Sequence, residues 1–373
     1  MSTSIDLARD SDGAPAPDDL STTGGPAISK RLLASGWVLL GASLLVLLFW
    51  PGTLSGIFDA MFESVRAVVV DVFLLSTVGI AIIVSVIAGR LFERLGFTDA
   101  LVRSLAPLMR FYRVNPTVIV PAAYNILGDI NAAGRIAGPI LRRAKATRHE
   151  QMIAVVTMVQ SQQSLATFVI GILALSAAHI SVFPVVVAAV FAPLVLVPPL
   201  LSRTLFRDTK RVAQTDIPSF TPRQPILSTL FGSAREGAEL LFLVVIPAVS
   251  VVFAAIGVLD YFHIWTHVEN AFSAVFTAML IEPTSGLTSV VAAPTLAMAQ
   301  LTEIAASVDP RLVVGSFVIA SSGLPLSVIF GQVPAVWAET SDLSERDTLI
   351  ACTLGIVMRI ATAFVIAATL TFT

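Results

Sequence analysis

Polar side chains interrupt four otherwise apolar stretches of the sequence, and their types suit the binding of a small solute. The interruptions fall within residues 114–141, 151–176, 271–301 and 312–337. Asn, Gln, Ser and Thr supply hydrogen-bond donors and acceptors, while neighbouring Pro and Gly end helices and free backbone groups. At membrane depth such groups persist only where they line a cavity or are buried in protein. The candidate solute-binding residues are Asn125, Asp129, Asn131, Gln160, Gln162, Gln163, Ser164, Glu282, Thr284, Ser285, Ser321 and Ser322.

Two of these residues, Asp129 and Glu282, are also candidates for coupling to a cation or a proton. A carboxylate at membrane depth is costly unless it is paired, protonated or metal-bound. For Asp129 a structural ion pair with Arg135 is an equal alternative. Arg359 is expected to pair with a carboxylate on a neighbouring helix. Apart from Na⁺ or H⁺ as a coupling ion, the sequence predicts no cofactor, no catalytic residue and no metal site.

Composition identifies the class of protein. Hydrophobic residues make up 55% of the 373 residues, charged residues 13%, and the mean hydropathy is +0.86, whereas soluble domains carry about 25% charged residues. This predicts an all-α polytopic membrane protein. The net charge of −2 argues against a nucleic acid polymer as partner. The sequence lacks a phosphate-binding GxxxxGK[ST] loop, an HExxH helix and a plausible nucleophile–base pair, so an enzyme is not expected.

Seven stretches have the length of a transmembrane helix, which needs roughly 20 mostly apolar residues. The regions 114–141 and 271–301 are instead predicted to be re-entrant hairpins, because their polar interruptions fall halfway. The predicted spans are residues 32–50, 68–89, 151–176, 182–201, 240–259, 312–337 and 348–371.

The distribution of Lys and Arg supports that assignment. With both hairpins re-entrant, 19 of the 23 basic residues fall on one side and two, Arg66 and Arg311, on the other. Basic loops face the cytoplasm. The sequence therefore predicts a multi-pass protein of the plasma (inner) membrane, with a cytoplasmic amino terminus and an outer carboxyl terminus.

The segments occur twice in the same order: a spanning helix, an amphipathic piece (99–113 and 260–270), a hairpin, a long helix with a polar break, and a plain helix. Three crossings per unit invert the second unit relative to the first, an architecture typical of secondary transporters. The predicted organisation is a disordered cytoplasmic tail (1–28), a first transmembrane helix and outer loop (29–67), repeat 1 (68–205), a cytoplasmic linker (206–226) and repeat 2 (227–373). Two alignments of the repeats remain open, pairing Glu282 either with Asp129 or, as Glu282-Pro283-Thr284, with Asn115-Pro116-Thr117.

This doubled order resembles the nucleoside-recognition or Gate domain membrane proteins of the YjiH type. The resemblance also rests on local stretches: residues 128–134 followed by the 160–164 break, and Glu282-Pro283-Thr284 followed by Ser321-Ser322. The resemblance covers roughly residue 68 to the end. The same module is seen in concentrative nucleoside transporters, and the resemblance implies that hairpin tips and broken helices form one central site. Asp129-Ile130-Asn131 stands where those transporters carry a Gln-Thr-Glu type tip.

Three functions follow as hypotheses. The leading one is cation- or proton-coupled transport of a nucleoside-like or other small polar solute. The second is a non-transporting Gate-domain scaffold or partner module in the membrane, and the third a metal-ion permease. The expected partners are the lipid bilayer and a small polar solute, and homo-oligomer formation is left open.

Overall fold

The computed structural model describes residues 29–75, 77–128, 130–162, 164–209, 219, 221, 225–322, 325–326 and 328–369. These residues are helical or lie in short connections, with no strand among them. The chain divides into two units, Met1–Gly56 and Ile57–Thr373. The first contains α1 (Lys30–Phe49), whose amino end is capped by the Ser29 hydroxyl, which accepts a hydrogen bond from the Leu32 N–H.

Helix α2 (Pro51–Arg66) leads into the second unit and continues as a π-helical segment (Ala67–Leu74). The first half of that unit contains α3 (Thr77–Arg94), α4 (Phe97–Phe111), a 3₁₀ turn (Pro116–Ile119) with α5 (Val120–Leu127), α6 (Ile130–Arg143), α7 (Arg148–Gln160), α8 (Leu165–Ala177), α9 (Val182–Val186), a π segment (Val187–Phe191) and α10 (Ala192–Arg203). The second half contains α11 (Ile226–Glu239), a π segment (Leu240–Val245), α12 (Ile246–Tyr261), α13 (Ile264–Ala278), α14 (Pro283–Val291), α15 (Pro294–Ile304), α16 (Pro310–Ser321), a π segment (Val328–Gln332), α17 (Val333–Thr340) and α18 (Glu345–Thr369).

Within the described residues, four continuous helices are long and apolar enough to cross a membrane, or up to seven if three bent pairs each count as one span. The four are Arg31–Phe49, Val182–Arg203, Ile226–Tyr261 and Glu345–Thr369. Many large apolar side chains on these helices are exposed, for example Leu243 (71%) and Val357 (59%). A soluble protein rarely exposes contiguous apolar surface on this scale. The chain is therefore a polytopic helical membrane protein.

Three predicted spans are not single helices. The predicted span 68–89 is interrupted, because the π segment ends at Leu74 and a new helix begins at Thr77. Residues 51–66, predicted to belong to the outer loop before this span, form α2. The predicted breaks within 151–176 and 312–337 are confirmed: α7 and α8 meet at 44°, and α16 ends at Ser321.

Two segments of the second unit share one backbone pattern at an offset of 167 positions. Helices α4 and α13 have 15 residues each, and each follows a residue with left-handed backbone dihedrals, Gly96 (φ 87°) and His263 (φ 58°). Each helix is followed by another such residue, Arg113 (φ 61°) and Leu280 (φ 58°). Two positions later come Asn115 and Glu282, each capping a proline-led helix. This pattern favours the alignment of Asn115-Pro116-Thr117 with Glu282-Pro283-Thr284.

The same pattern corrects two predictions. The second amphipathic piece was expected at 260–270, but α12 runs on to Tyr261 and the amphipathic helix is α13. Glu282 was expected at the interruption of the second hairpin, whereas it precedes the first helix of that hairpin, and the turn between α14 and α15 lies at Ala292 and Ala293. The reason is that proline at the first position of a helix starts it rather than breaks it.

Candidate functional site

The break between α7 and α8 is held by Asn125 near the end of α5. Its side-chain amide donates to the Met158 carbonyl (3.3 Å) and to the Ser161 hydroxyl (3.2 Å), and its backbone carbonyl accepts from the Ser164 N–H (3.2 Å). Asn125 is fully buried. Its side-chain oxygen is buried and has no hydrogen-bond partner within the described part of the chain. This acceptor next to a helix break is suited to a hydrogen-bond donor on a solute.

Ser164 caps the amino end of α8 and has a positive φ (61°), which is uncommon for a residue other than glycine. Its hydroxyl accepts from the Thr167 N–H (3.5 Å). Gln162, fully buried, donates from its amide to the Ser164 carbonyl (3.1 Å). The structure therefore brings Asn125, Gln162 and Ser164 together.

The two halves meet just beyond this break. The hydroxyls of Thr167 on α8 and Thr295 on α15 are 3.1 Å apart, and Thr295 lies directly after the turn of the second hairpin. Further along, a Cβ at Gly171 would come within 2.7 Å of the Phe317 ring on α16. The first break therefore lies beside the second hairpin.

Arg359 on α18 joins the ends of the two broken helices. It is fully buried, and it donates to the carbonyls of Gln160 (2.6 Å), Val318 (2.9 Å) and Ala189 (2.7 Å) and to the Ser321 hydroxyl (2.7 Å). Gln160 is the last residue of α7, and Ser321 the last of α16. The expected carboxylate partner is wrong: within the described residues, the hydrogen bonds of this guanidinium all go to neutral oxygens. Carbonyls at helix carboxyl ends carry partial negative charge and supply the compensation.

The Gln160 side chain, also buried, faces α18 rather than the Asn125 cluster. Its amide donates to the Gly355 carbonyl, and its oxygen accepts from the Thr362 hydroxyl (3.5 Å). Ser322 is buried and donates to the Ile319 carbonyl (2.8 Å) of its own helix. Both residues therefore support the helix ends.

Glu282 lies apart from this junction as the amino-terminal cap of α14. Its two carboxylate oxygens accept from the backbone N–H groups of Thr284 (3.0 Å) and Ser285 (2.7 Å), and its own N–H donates to the Ser316 hydroxyl (2.8 Å). A carboxylate in this position is stabilised by the helix dipole. The Ser285 hydroxyl donates back to the Glu282 carbonyl (3.2 Å), while Thr284 is exposed. Within the described part of the chain, capping accounts for the hydrogen bonds that this carboxylate accepts.

A cavity of about 110 Å³ opens beside Thr284 among α12, α13, α14 and α15. Its lining includes Trp265, Thr284, Thr288 and Gln300. Sites for small molecules usually have volumes of about 300–1,000 Å³. In this conformation the cavity has room for a few water molecules rather than for a nucleoside.

Three predicted site residues cannot be compared. Asp129 and Gln163 lie outside the described residues, and for Asn131 the description covers its backbone position in α6 but not its side chain. The proposed Asp129–Arg135 pair therefore stays a prediction.

Charged pairs join the α6–α7 region to the α17–α18 connection. Arg142 contacts Asp342, and Arg148 contacts Asp347, whose carboxylate also accepts from the Ser344 N–H (3.1 Å). The basic group 142–148 therefore lies at the same end of the unit as Arg346. The distribution of Lys and Arg in the sequence predicts that both lie on one side of the membrane.

Sequence reasoning missed Thr167, Thr295 and Ser316 as contact residues. The first two lie within three residues of a break or turn, a position that distinguishes them from threonines elsewhere in apolar helices. Ser316 gave no signal, because it lies inside a continuous helix.

No known family model matches this chain, and no curated protein or solved structure is significantly similar to it.

Proposed function

We propose that this protein is a transporter-like membrane protein that moves a small polar, nucleoside-like solute between two inverted repeats, residues 68–205 and 227–373. The observation that carries the proposal is the backbone pattern repeated at an offset of 167 positions, together with the two broken helices that end at Arg359. Broken helices at the interface of inverted repeats are where secondary transporters bind their substrates.

The proposed topology has seven spans and two re-entrant hairpins, α5–α6 from the cytoplasm and α14–α15 from outside. The 19-to-2 distribution of basic residues supports this topology. Arg142 and Arg148 also contact the connection between α17 and α18. The same distribution of basic residues places that connection in the cytoplasm. In this arrangement the protein lies in the plasma (inner) membrane, with its amino terminus inside. We also propose that the chain is related to the nucleoside-recognition (Gate) domain proteins of the YjiH type.

The proposed solute site is centred on Asn125, Gln162 and Ser164, with Thr167 and Thr295 at its edge. The side-chain oxygen of Asn125 accepts from the solute, and the polar groups of the break supply further donors and acceptors. Coupling to a proton or cation is assigned to Asp129 in preference to Glu282, since the Glu282 carboxylate is already used in capping α14.

Uptake by purified protein in proteoliposomes tests this function. A panel of labelled nucleosides and nucleobases is offered with and without an imposed proton or sodium gradient, to wild type, Asn125→Ala and the control Asn270→Ala. Asn270 is an exposed asparagine on α13. We expect accumulation of at least one solute, a loss of about tenfold or more in Asn125→Ala, and no change in Asn270→Ala. About tenfold corresponds to one hydrogen bond of roughly 1.4 kcal/mol.

Because Asn125 also holds the helix break, its variant is compared with wild type by thermal unfolding. Loss of uptake in a variant that melts like wild type supports the site. Absence of accumulation across the panel, or full uptake by Asn125→Ala, contradicts the proposal.

The small cavity and the protein groups packed around Arg359 favour a second candidate, a non-transporting Gate-domain scaffold. It predicts that Asn125→Ala leaves function intact while changes to exposed helix surfaces abolish association with a partner.

A further inference from the structure

Four neutral oxygen atoms surround the buried guanidinium of Arg359. The guanidinium meets three backbone carbonyls and one hydroxyl, contributed by α7, by α16 and by the π segment Val187–Phe191. All four acceptors are neutral oxygens between 2.6 and 2.9 Å from its nitrogens. Hard metal cations use the same ligand types.

Backbone breaks explain why these carbonyls are available. The last carbonyls of a helix have no partner within it, and α7 and α16 end at Gln160 and Ser321. The Ala189 carbonyl lies within a π segment, where the regular hydrogen-bond ladder is shifted. Two helix carboxyl ends therefore direct partial negative charge at one point, which attracts a positive charge.

In transporters built from inverted repeats, the unwound carbonyls and carboxyl ends of half-helices hold the coupling Na⁺. Here a covalently attached side chain already satisfies such groups. We propose that Arg359 is a tethered cation that takes the place of a mobile Na⁺ at the junction of the broken helices. That Arg359 occupies this junction does not depend on whether the protein transports a solute. Its consequence, that solute movement needs no Na⁺ at this junction, rests on the proposed function.

A purely structural role for Arg359 makes a different prediction. If the residue only packs and fills space, its removal leaves a cavity that no small ion repairs. If it acts as a tethered cation, its removal leaves converging oxygens that a free cation can occupy. A ligand that binds the folded state alone raises the melting temperature with its concentration.

Thermal unfolding of purified protein in detergent distinguishes the two. Wild type, Arg359→Ala, Arg359→Gln and the exposed control Arg311→Ala are melted in choline chloride, which is replaced stepwise by Na⁺, K⁺ or up to about 20 mM guanidinium at constant ionic strength. In the neutral variants we expect the melting temperature to fall and then to recover by about 3 °C or more with Na⁺ or guanidinium. Wild type and Arg311→Ala should shift by less than about 1 °C.

Arg359→Gln retains a donor and most of the side-chain volume, so it provides a folded neutral variant if Arg359→Ala does not fold. A flat response in every folded neutral variant overturns the proposal. If neither neutral variant can be purified in folded form in the presence of any of the ions, the proposal is overturned as well. A transport failure in the proteoliposome assay leaves these melting curves unaffected, so the two proposals fail separately.

Discussion

Gly315→Ala is expected to separate α16 from the base of the second hairpin. A Cβ at position 315 would lie 1.8 Å from the Leu280 carbonyl oxygen. Real contacts of this kind need more than 3.0 Å, so one backbone must shift by more than 1 Å. That shift breaks the hydrogen bond from the Glu282 N–H to the Ser316 hydroxyl, now 2.8 Å long.

The expected change in the free energy of unfolding is the sum of opposing contributions. Overpacking costs about 1–3 kcal/mol, and loss of the hydrogen bond costs about 1 kcal/mol more. Alanine regains about 1 kcal/mol over glycine inside a helix. The net loss of roughly 1–3 kcal/mol lowers the melting temperature by about 2–4 °C per kcal/mol.

Gly331→Ala is the matched control, because nothing lies within 4 Å of a Cβ there. Thermal unfolding of the purified proteins should show a clear decrease for Gly315→Ala and no decrease for Gly331→Ala. Equal melting temperatures for the two variants would refute the close approach of Leu280 to α16.

Three further predictions concern stability. Trp337→Ala removes a fully buried side chain packed on Gly134 and should cost about 3–5 kcal/mol in thermal unfolding; an unchanged melting temperature contradicts this packing. Glu282→Ala should cost about 0.5–2 kcal/mol, whereas Glu282→Asn, also a good cap, should stay within about 0.5 kcal/mol of wild type; equal losses in both variants argue against capping. Asp347→Ala should cost about 1–2 kcal/mol through its lost hydrogen bonds to Arg148 and Ser344, and the exposed control Glu345→Ala less than about 0.5 kcal/mol.

The helical class and most of the spans could be predicted because long apolar stretches and breakers are local signals. The 160–164 break is an example, since a dense polar cluster stopped an apolar helix where expected. The turn at Ala292 and Ala293 gave no such signal, because both residues are small and apolar. Glu282 looked like an interruption since proline follows it, but that proline begins α14.

The surroundings of Arg359 could not be predicted from sequence. Its partners Ala189, Gln160 and Val318 are 170, 199 and 41 positions away, and they act through backbone atoms that every residue possesses. Which carbonyls are free depends on where distant helices end. A carboxylate partner was the natural expectation for a buried cation, and it was wrong because helix ends provide the negative potential instead.

Compartment labelling at the bases of the two hairpins tests the inverted arrangement most directly. Single cysteines replace the exposed residues Arg113, Lys145 and Ala306 in a Cys352→Ala background, and a membrane-impermeant maleimide is added to intact spheroplasts and to inverted vesicles. Positions 113 and 145 should react in inverted vesicles alone, and position 306 in spheroplasts alone. Labelling of 113 and 145 from opposite sides would contradict the re-entrant hairpin and the inverted repeat with it.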